Sequence, residues 1–259
     1  RSIGRGDLFV ALKGENFDGA KFVGQAVQAG AVGAVVNADS SIGDAPCALI
    51  RVADTRLALG HLAAYWRRQN DIPLVAITGS NGKTTVKEML AGILRAVTED
   101  ENAVLATRGN FNNDIGMPLT LLRLRATHRY AVIEMGMNHL HEIEYLSRIA
   151  RPTVAIVNNA SGAHLQGLGS VENVARAKGE VFAGLDAQGT AVINADDAFA
   201  GLWRKLAEPH EVFDFALEHP AFAKGSWTPL GYGGVLQART PAGELRVVLQ
   251  VPGEHNARN

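Results

Sequence analysis

Cysteine is almost absent: one residue, Cys47, in 259, which excludes an internal disulfide and fits a reducing compartment. An excess of charge of either sign is absent too. The 25 Lys and Arg against 26 Asp and Glu leave a net charge of −1, so no general attraction to nucleic acid or to an anionic membrane surface is expected. No apolar run approaches the length that spans a bilayer, and nothing at the start resembles a signal peptide. A cytoplasmic protein without membrane insertion is therefore expected. There is no internal repeat and no low-complexity tract. With 47% hydrophobic and 20% charged residues, the remainder is ordinary globular composition, enough for a real core in one or two domains. Anionic ligands must be caught locally.

The stretch best suited to do so runs from Leu74 to Met89. An apolar run, Leu74-Val75-Ala76-Ile77-Thr78, halts at the turn Gly79-Ser80-Asn81-Gly82, and a helical pattern begins at Lys83-Thr84-Thr85 with Val86, Met89, Leu90, Ile93 and Leu94 on one face. This order predicts strand, phosphate loop and helix. The two glycines let backbone N–H groups converge, and the helix adds the positive end of its dipole. Lys83 is placed to reach terminal phosphates, and the Thr84 hydroxyl to ligate Mg²⁺. The motif is shortened, because Ile77 stands where the full pattern has its first glycine. A tight structural connection is the plain alternative.

Along the chain, Asp7 to Leu12 reads as a strand, Gly14 to Gly19 as a polar loop, Phe22 to Ala29 as a short helix, Ala31 to Val36 and Ala48 to Val52 as strands, and Thr55 opens a helix. Asn70-Asp71-Ile72-Pro73 supplies a break. A small N-terminal α/β domain over 1–70 and a larger domain over 71–259 are expected. In the second, strands at Val104 to Ala106, Tyr130 to Glu134, Thr153 to Asn158 and Thr190 to Asn194 alternate with helices from Pro118, from His141 and over Val171 to Leu185. Such alternation predicts a P-loop-type, doubly wound, mostly parallel sheet. After Glu211 the pattern shortens, and the segments flanking Pro241-Ala242-Gly243-Glu244 predict an appended β-hairpin. The end, Gly253 to Asn259, carries no further predicted element.

Several residues follow predicted strands, where ligands of such sheets lie. Glu134 closes Ala131-Val132-Ile133 and would complete Mg²⁺ coordination with Thr84; a surface carboxylate is the alternative. His164 follows the next strand, although a lone histidine is as readily structural. Lys178 falls on the apolar stripe Val171, Val174, Ala175, Val181, Phe182. It either snorkels from the stripe's edge or is buried with a lowered pKa, and such an amine can take up CO₂. Asn112 and Asn113 are donors on a loop or turn formers. Asp196 and Asp197 suggest a helix N-cap rather than a metal pair.

Taken together, six segments resemble the Mur ligase family of bacterial cell-wall synthesis: Thr78 to Thr85; Gly109-Asn110-Phe111-Asn112-Asn113-Asp114-Ile115-Gly116-Met117-Pro118; Val132 to Gly136; Asn158-Asn159 through His164 to Ser170; Ala177-Lys178-Gly179-Glu180-Val181-Phe182; and Gly253-x-His255-Asn256-x-x-Asn259. Gly6 to Glu15 is similar to the family's uridine-nucleotide domain. The Gly-Asn-Phe-Asn-Asn-Asp segment resembles the branch that adds D-alanyl-D-alanine to UDP-N-acetylmuramoyl-tripeptide. The resemblance implies that Gly79, Ser80, Asn81, Gly82, Lys83, Thr84 and Thr85 hold the ATP phosphates. Thr84 and Glu134 would bind one Mg²⁺, and His164, Glu134 and a Lys178 carbamate derived from CO₂ a second. His255, Asn256 and Asn259 would meet adenine, Asn112 and Asn113 the reacting substrate, and Arg1 the uridine site. Lys83, His164, Lys178 and Asn113 are thus the implied catalytic set. Expected partners are the UDP-muramoyl tripeptide and D-alanyl-D-alanine, with no nucleic acid, and a monomer is expected. The family's C-terminal Rossmann-like domain is not matched, implying a fragment inactive alone. Competing readings are a diaminopimelate- or lysine-adding ligase, a folylpolyglutamate synthase, a module that binds ATP and UDP-sugar without catalysis, or a regulatory P-loop ATPase.

Overall fold

The computed structural model describes residues 3–14, 17–43, 47–162 and 165–259. The chain divides into two compact units, Arg1–Tyr65 and Trp66–Asn259. The division falls within a helix, whereas the sequence break comes a few residues later.

The first unit holds β1 (Leu8–Val10), β2 (Lys13–Gly14), β3 (Phe17–Asp18), α1 (Val23–Gln28), β4 (Gly33–Asn37), β5 (Ala48–Val52) and the start of α2 (Thr55–Arg68). Strands β1, β4 and β5 form a parallel sheet in the order β1-β4-β5. Ala11, Val23, Ala34 and Val36 form its core. The expected polar loop over Gly14 to Gly19 is corrected: β2 and β3 pair antiparallel as a two-residue ladder. Gly19 is obligatory at its exit, because a Cβ there would lie 2.7 Å from the Leu12 carbonyl oxygen.

The second unit continues with β6 (Leu74–Thr78), α3 (Lys83–Thr98), β7 (Val104–Ala106), α4 (Gly116–Leu121), β8 (Tyr130–Glu134), α5 (Glu142–Ala150) and β9 (Val154–Val157). Then come α6 (Leu165–Leu168), α7 (Val171–Gly179), β10 (Thr190–Asn194), α8 (Ala200–Ala207), β11 (Glu211–Ala216), β12 (Ala223–Leu230), β13 (Gly233–Thr240), β14 (Gly243–Leu249) and α9 (Glu254–Arg258). They build one sheet in the order β14-β13-β12-β11-β10-β9-β6-β8-β7. From β7 to β12 neighbouring strands run parallel, and β12, β13 and β14 then pair antiparallel.

Strand β6 is central because its run is apolar on both sides: Leu74, Ala76 and Ile77 are fully buried, as a parallel strand covered on both faces requires. Ile77 joins Val86 and Ala91 of α3 and Val104 and Val132 of β7 and β8 in one cluster. Strand β6 is flanked by β8 and β9; from β6 the chain passes over β8 to the edge strand β7, whereas from β9 it moves the opposite way to β10. The carboxyl end of β6 is therefore the sheet's switch point, where such folds leave a crevice.

Three expectations are corrected. The helix expected over Val171 to Leu185 ends at Gly179 and tightens into a 3₁₀ turn over Glu180–Gly184. Gly184 explains the tightening, since a Cβ on it would run into the Ser147 backbone of α5. The appended hairpin is a three-stranded meander joined in parallel to β11. The last residues form α9, whose Arg258 guanidinium meets the buried Asp196 at 2.9 Å.

Candidate functional site

The crevice begins with the loop after β6. Gly82 has φ +76° and caps α3 from the left-handed region that glycine tolerates. A Cβ there would collide with the carboxamides of Asn158 and Asn259. The loop is stitched to the segment after β9. Ser80 N–H donates to the Asn159 carbonyl at 3.0 Å, Asn81 N–H to Asn159 Oδ1 at 2.9 Å and Asn81 Nδ2 to Ser161 Oγ at 3.0 Å. Asn158 Nδ2 donates to the Asn81 carbonyl and to Asn259 Oδ1 at 3.0 and 2.8 Å. Lys83 folds back, its Nζ 2.7 Å from the Gly79 carbonyl oxygen. Burial lowers its pKa, against the opposing charge of Glu134. Thr85 is half-buried in the first turn of α3.

Opposite, Glu134 ends β8 at 3% exposure. Its Oε2 accepts from Thr84 Oγ1 at 2.9 Å, and its Oε1 from Asn112 Nδ2 at 2.8 Å. The register Ile77↔Glu134 between β6 and β8 creates this meeting by ending both strands at the same level. Gly136 keeps the approach open, since a Cβ there would press at 3.0 Å on the Asn112 amide.

Lys178, on α7, is fully buried, and its Nζ has no hydrogen-bond partner among the described residues. Burial, reinforced by the Lys83 charge and opposed by Glu134, pushes its pKa down to about 7. It therefore lies within electrostatic reach of the two residues that define the loop's mouth. An unpaired buried amine is costly and signals a reactive group or an unmet partner.

The structure thus brings together Lys83, Thr84, Asn112, Glu134 and Lys178 from α3, the loop before α4, β8 and α7. His164 and Arg1 lie outside the described residues. Asn113 turns its Oδ1 to the amides of Ile115 and Gly116 at 3.3 and 2.8 Å, just before α4, whose N-cap is Ile115. Asn259 sits against Gly82, whereas Asn256 donates to the Pro252 carbonyl at 2.8 Å and bonds the His255 ring at 3.2 Å. The N-cap expectation for Asp196 and Asp197 is corrected, because Phe199 is the N-cap of α8. Asp197 accepts from the amides of Phe199 and Ala160, and Asp196 from those of Leu217, Glu218 and His219. Burial pushes the Asp196 pKa up, but these donors more than offset it and hold the carboxyl well below its usual range.

Asn158, Thr107 and Lys87 carry the site's packing, and local pattern did not single them out. Thr107 Oγ1 accepts the Glu134 N–H at 3.0 Å, and Lys87 Nζ donates to the Thr107 carbonyl at 2.8 Å. The available signal was the Thr84 to Lys87 spacing, which puts both on one helix face.

Among the described residues no cluster of three His, Cys, Asp or Glu exists. A magnesium site needs none, since the ion takes one or two protein oxygens and completes its shell with phosphate and water. The buried Glu134 carboxylate beside the Thr84 hydroxyl fits that donor set.

A phosphate loop at the switch point of a parallel sheet, faced by a buried carboxylate and a lysine, is the arrangement of a P-loop nucleotide-binding fold. Comparison with known families agrees: the Mur ligase middle domain matches residues 77–259, and the Mur ligase family catalytic domain residues 1–67. The chain belongs to the Mur ligase family.

Within that family it is similar to the UDP-N-acetylmuramoyl-tripeptide–D-alanyl-D-alanine ligase of Haemophilus influenzae, at 44% identity over 97% of this chain and 54% of that protein. Among solved structures, MurF from Acinetobacter baumannii superposes with TM-score 0.91 at 42% identity, covering 98% of this chain and 55% of that one. MurF from Thermotoga maritima in complex with ADP does so with TM-score 0.85 at 27% identity, covering 99% and 58%. The chain spans about half the length of the relatives it matches.

Proposed function

We propose that the chain is the nucleotide- and UDP-sugar-binding part of an ATP-dependent ligase. That ligase joins D-alanyl-D-alanine to UDP-N-acetylmuramoyl-tripeptide in the making of peptidoglycan precursors in the cytoplasm. The observation that carries this is Glu134, a buried carboxylate held between the Thr84 hydroxyl and the Asn112 amide at the phosphate-loop mouth. The bound ADP of the Thermotoga maritima structure, which shares this fold, supports ATP as the nucleotide.

In this reading residues 71–259 bind ATP, with Lys83 swinging from the Gly79 carbonyl to the terminal phosphates. Residues 1–70 hold the uridine nucleotide, with Arg1 contributing. Thr84 and Glu134 would hold one magnesium ion, and Glu134, His164 and a carbamate on Lys178 a second, which would supply charge neutralisation for the moving phosphoryl group. The tripeptide carboxylate oxygen attacks the γ-phosphorus, and ADP leaves. The acyl phosphate then accepts the amine of D-alanyl-D-alanine, an amide bond forms, and phosphate and a proton depart. Asn112 orients Glu134, Asn113 shapes the acceptor loop through its bonds to the Ile115 and Gly116 amides, and Asn259, with His255 and Asn256, borders the nucleotide. The protein works chiefly by positioning and electrostatics. The Lys178 amine is suited to capture CO₂, because a pKa lowered by burial to about 7 leaves a large share of it neutral and nucleophilic near neutral pH.

The test is phosphate release from ATP by the complete protein, which should require both the muramoyl tripeptide and D-alanyl-D-alanine. Release without the muramoyl substrate would point to a regulatory ATPase, and turnover with folate or with diaminopimelate to another ligase of the superfamily. Mass spectrometry with and without bicarbonate reads the Lys178 carbamate directly.

A further inference from the structure

We infer that Lys87 and Thr107 are positioning residues that aim the Glu134 carboxylate, an inference that rests on the reading of Thr84 and Glu134 as the magnesium-binding pair. Lys87 lies one turn beyond Lys83 on α3, yet it is 1% exposed. Its Nζ donates to the Thr107 carbonyl at 2.8 Å and pairs with the exposed Glu88 carboxylate at 2.6 Å. Thr107, also 1% exposed, directly follows β7. Its N–H extends the ladder to the Val132 carbonyl at 3.1 Å, and its Oγ1 accepts the Glu134 N–H at 3.0 Å.

These bonds close a ring. Helix α3 touches Glu134 twice: directly, where Thr84 meets the carboxylate, and indirectly, where Lys87 holds Thr107 and Thr107 holds the backbone that carries the carboxylate. Thr84 and Lys87 stand three residues apart on one face, so a rigid helix fixes both contacts together. Burying an ammonium group is expensive, and a methionine of similar length would fill the space without that cost. What methionine lacks is the donor to Thr107. Strand β7 is the sheet's edge and only three residues long, so its exit has little else to hold it in register with β8. Partners that orient a ligating carboxylate in this way tune metal affinity without touching the metal.

The experiment measures ATP affinity of the chain by calorimetry in magnesium and in EDTA, and takes the ratio as the metal coupling. Glu134→Gln should abolish the coupling. Lys87→Met should reduce it about tenfold while leaving the EDTA affinity and the melting temperature near wild type, Thr107→Val should reduce it similarly, and Thr107→Ser should restore it to within about twofold. The inference is overturned if Glu134→Gln loses the coupling while Lys87→Met and Thr107→Val keep it. It is also overturned if Lys87→Met lowers EDTA affinity and melting temperature along with the coupling, as a purely structural residue would. Should Glu134→Gln retain full coupling, the magnesium assignment itself falls, which is a distinct result.

Discussion

Lys87 and Lys178 are both withdrawn from solvent within the same unit, and their surroundings differ in one respect. Lys87 has a carbonyl and a carboxylate within bonding distance, whereas Lys178 has no hydrogen-bond partner among the described residues and feels the charge of another cation, Lys83. Satisfied, a buried ammonium ties two elements together. Unsatisfied, it gives up its proton and becomes a reagent. Chemistry is therefore expected at Lys178 and scaffolding at Lys87, although both act on Glu134, the first through charge and the second through Thr107.

The contrast is sharpest in its pH dependence. Lys178 binds a proton in the unfolded chain up to its ordinary pKa near 10.5 but releases it in the folded protein at about 7. Between those values the unfolded state holds more protons, so stability rises with pH through that window and the penalty is complete below it. In CO₂-free buffer, urea unfolding should show a gain on the order of 4 kcal/mol across the full range. Lys178→Met should flatten that rise, and an unchanged slope would break the comparison. Next in size, Lys178→Met should lower ligation by the complete protein by about a hundredfold, well beyond the effect of Lys87→Met. Equal losses in phosphate release would erase the distinction. Gly82→Ala, beside the lysine whose charge Lys178 feels, should cost about 2 kcal/mol in thermal unfolding, through a strained left-handed φ and the clash with Asn158 and Asn259. Smallest, Lys87→Met should leave stability within about 0.5 kcal/mol of wild type, because the desolvation cost it removes offsets the bond to Thr107 it loses, and urea unfolding checks this.

Much of the sheet was legible in sequence because its strands are continuous apolar runs between turn residues. Val104–Ala106, Tyr130–Glu134 and Thr190–Asn194 stand where the pattern put them. Strands β11 and β12 were not delimited, since their residues alternate weakly and β12 carries Pro229 and Gly225. Helix α8 was signalled by Asp196 and Asp197, but it starts a few residues later, with Phe199 as N-cap and Gly201 in its first turn. In the site, Lys83, Thr84 and Glu134 could be read because each closes or follows a strand at the level where parallel strands end together. Thr107 and Asn158 could not be, because their roles depend on which strands are neighbours: β7 beside β8, and β9 beside β6. Strand order is a property of the crossovers and leaves no mark at the residues themselves.

The stitching of the loop after β6 has a consequence for the thermodynamics of nucleotide capture. Asn81 N–H and the Lys83 ammonium already have internal oxygen acceptors in Asn159 and Gly79. An arriving phosphate displaces those oxygens, so the heat released reflects a swap of acceptors and is modest for the number of bonds finally made. Affinity must then come largely from charge, and it should weaken steeply as ionic strength rises.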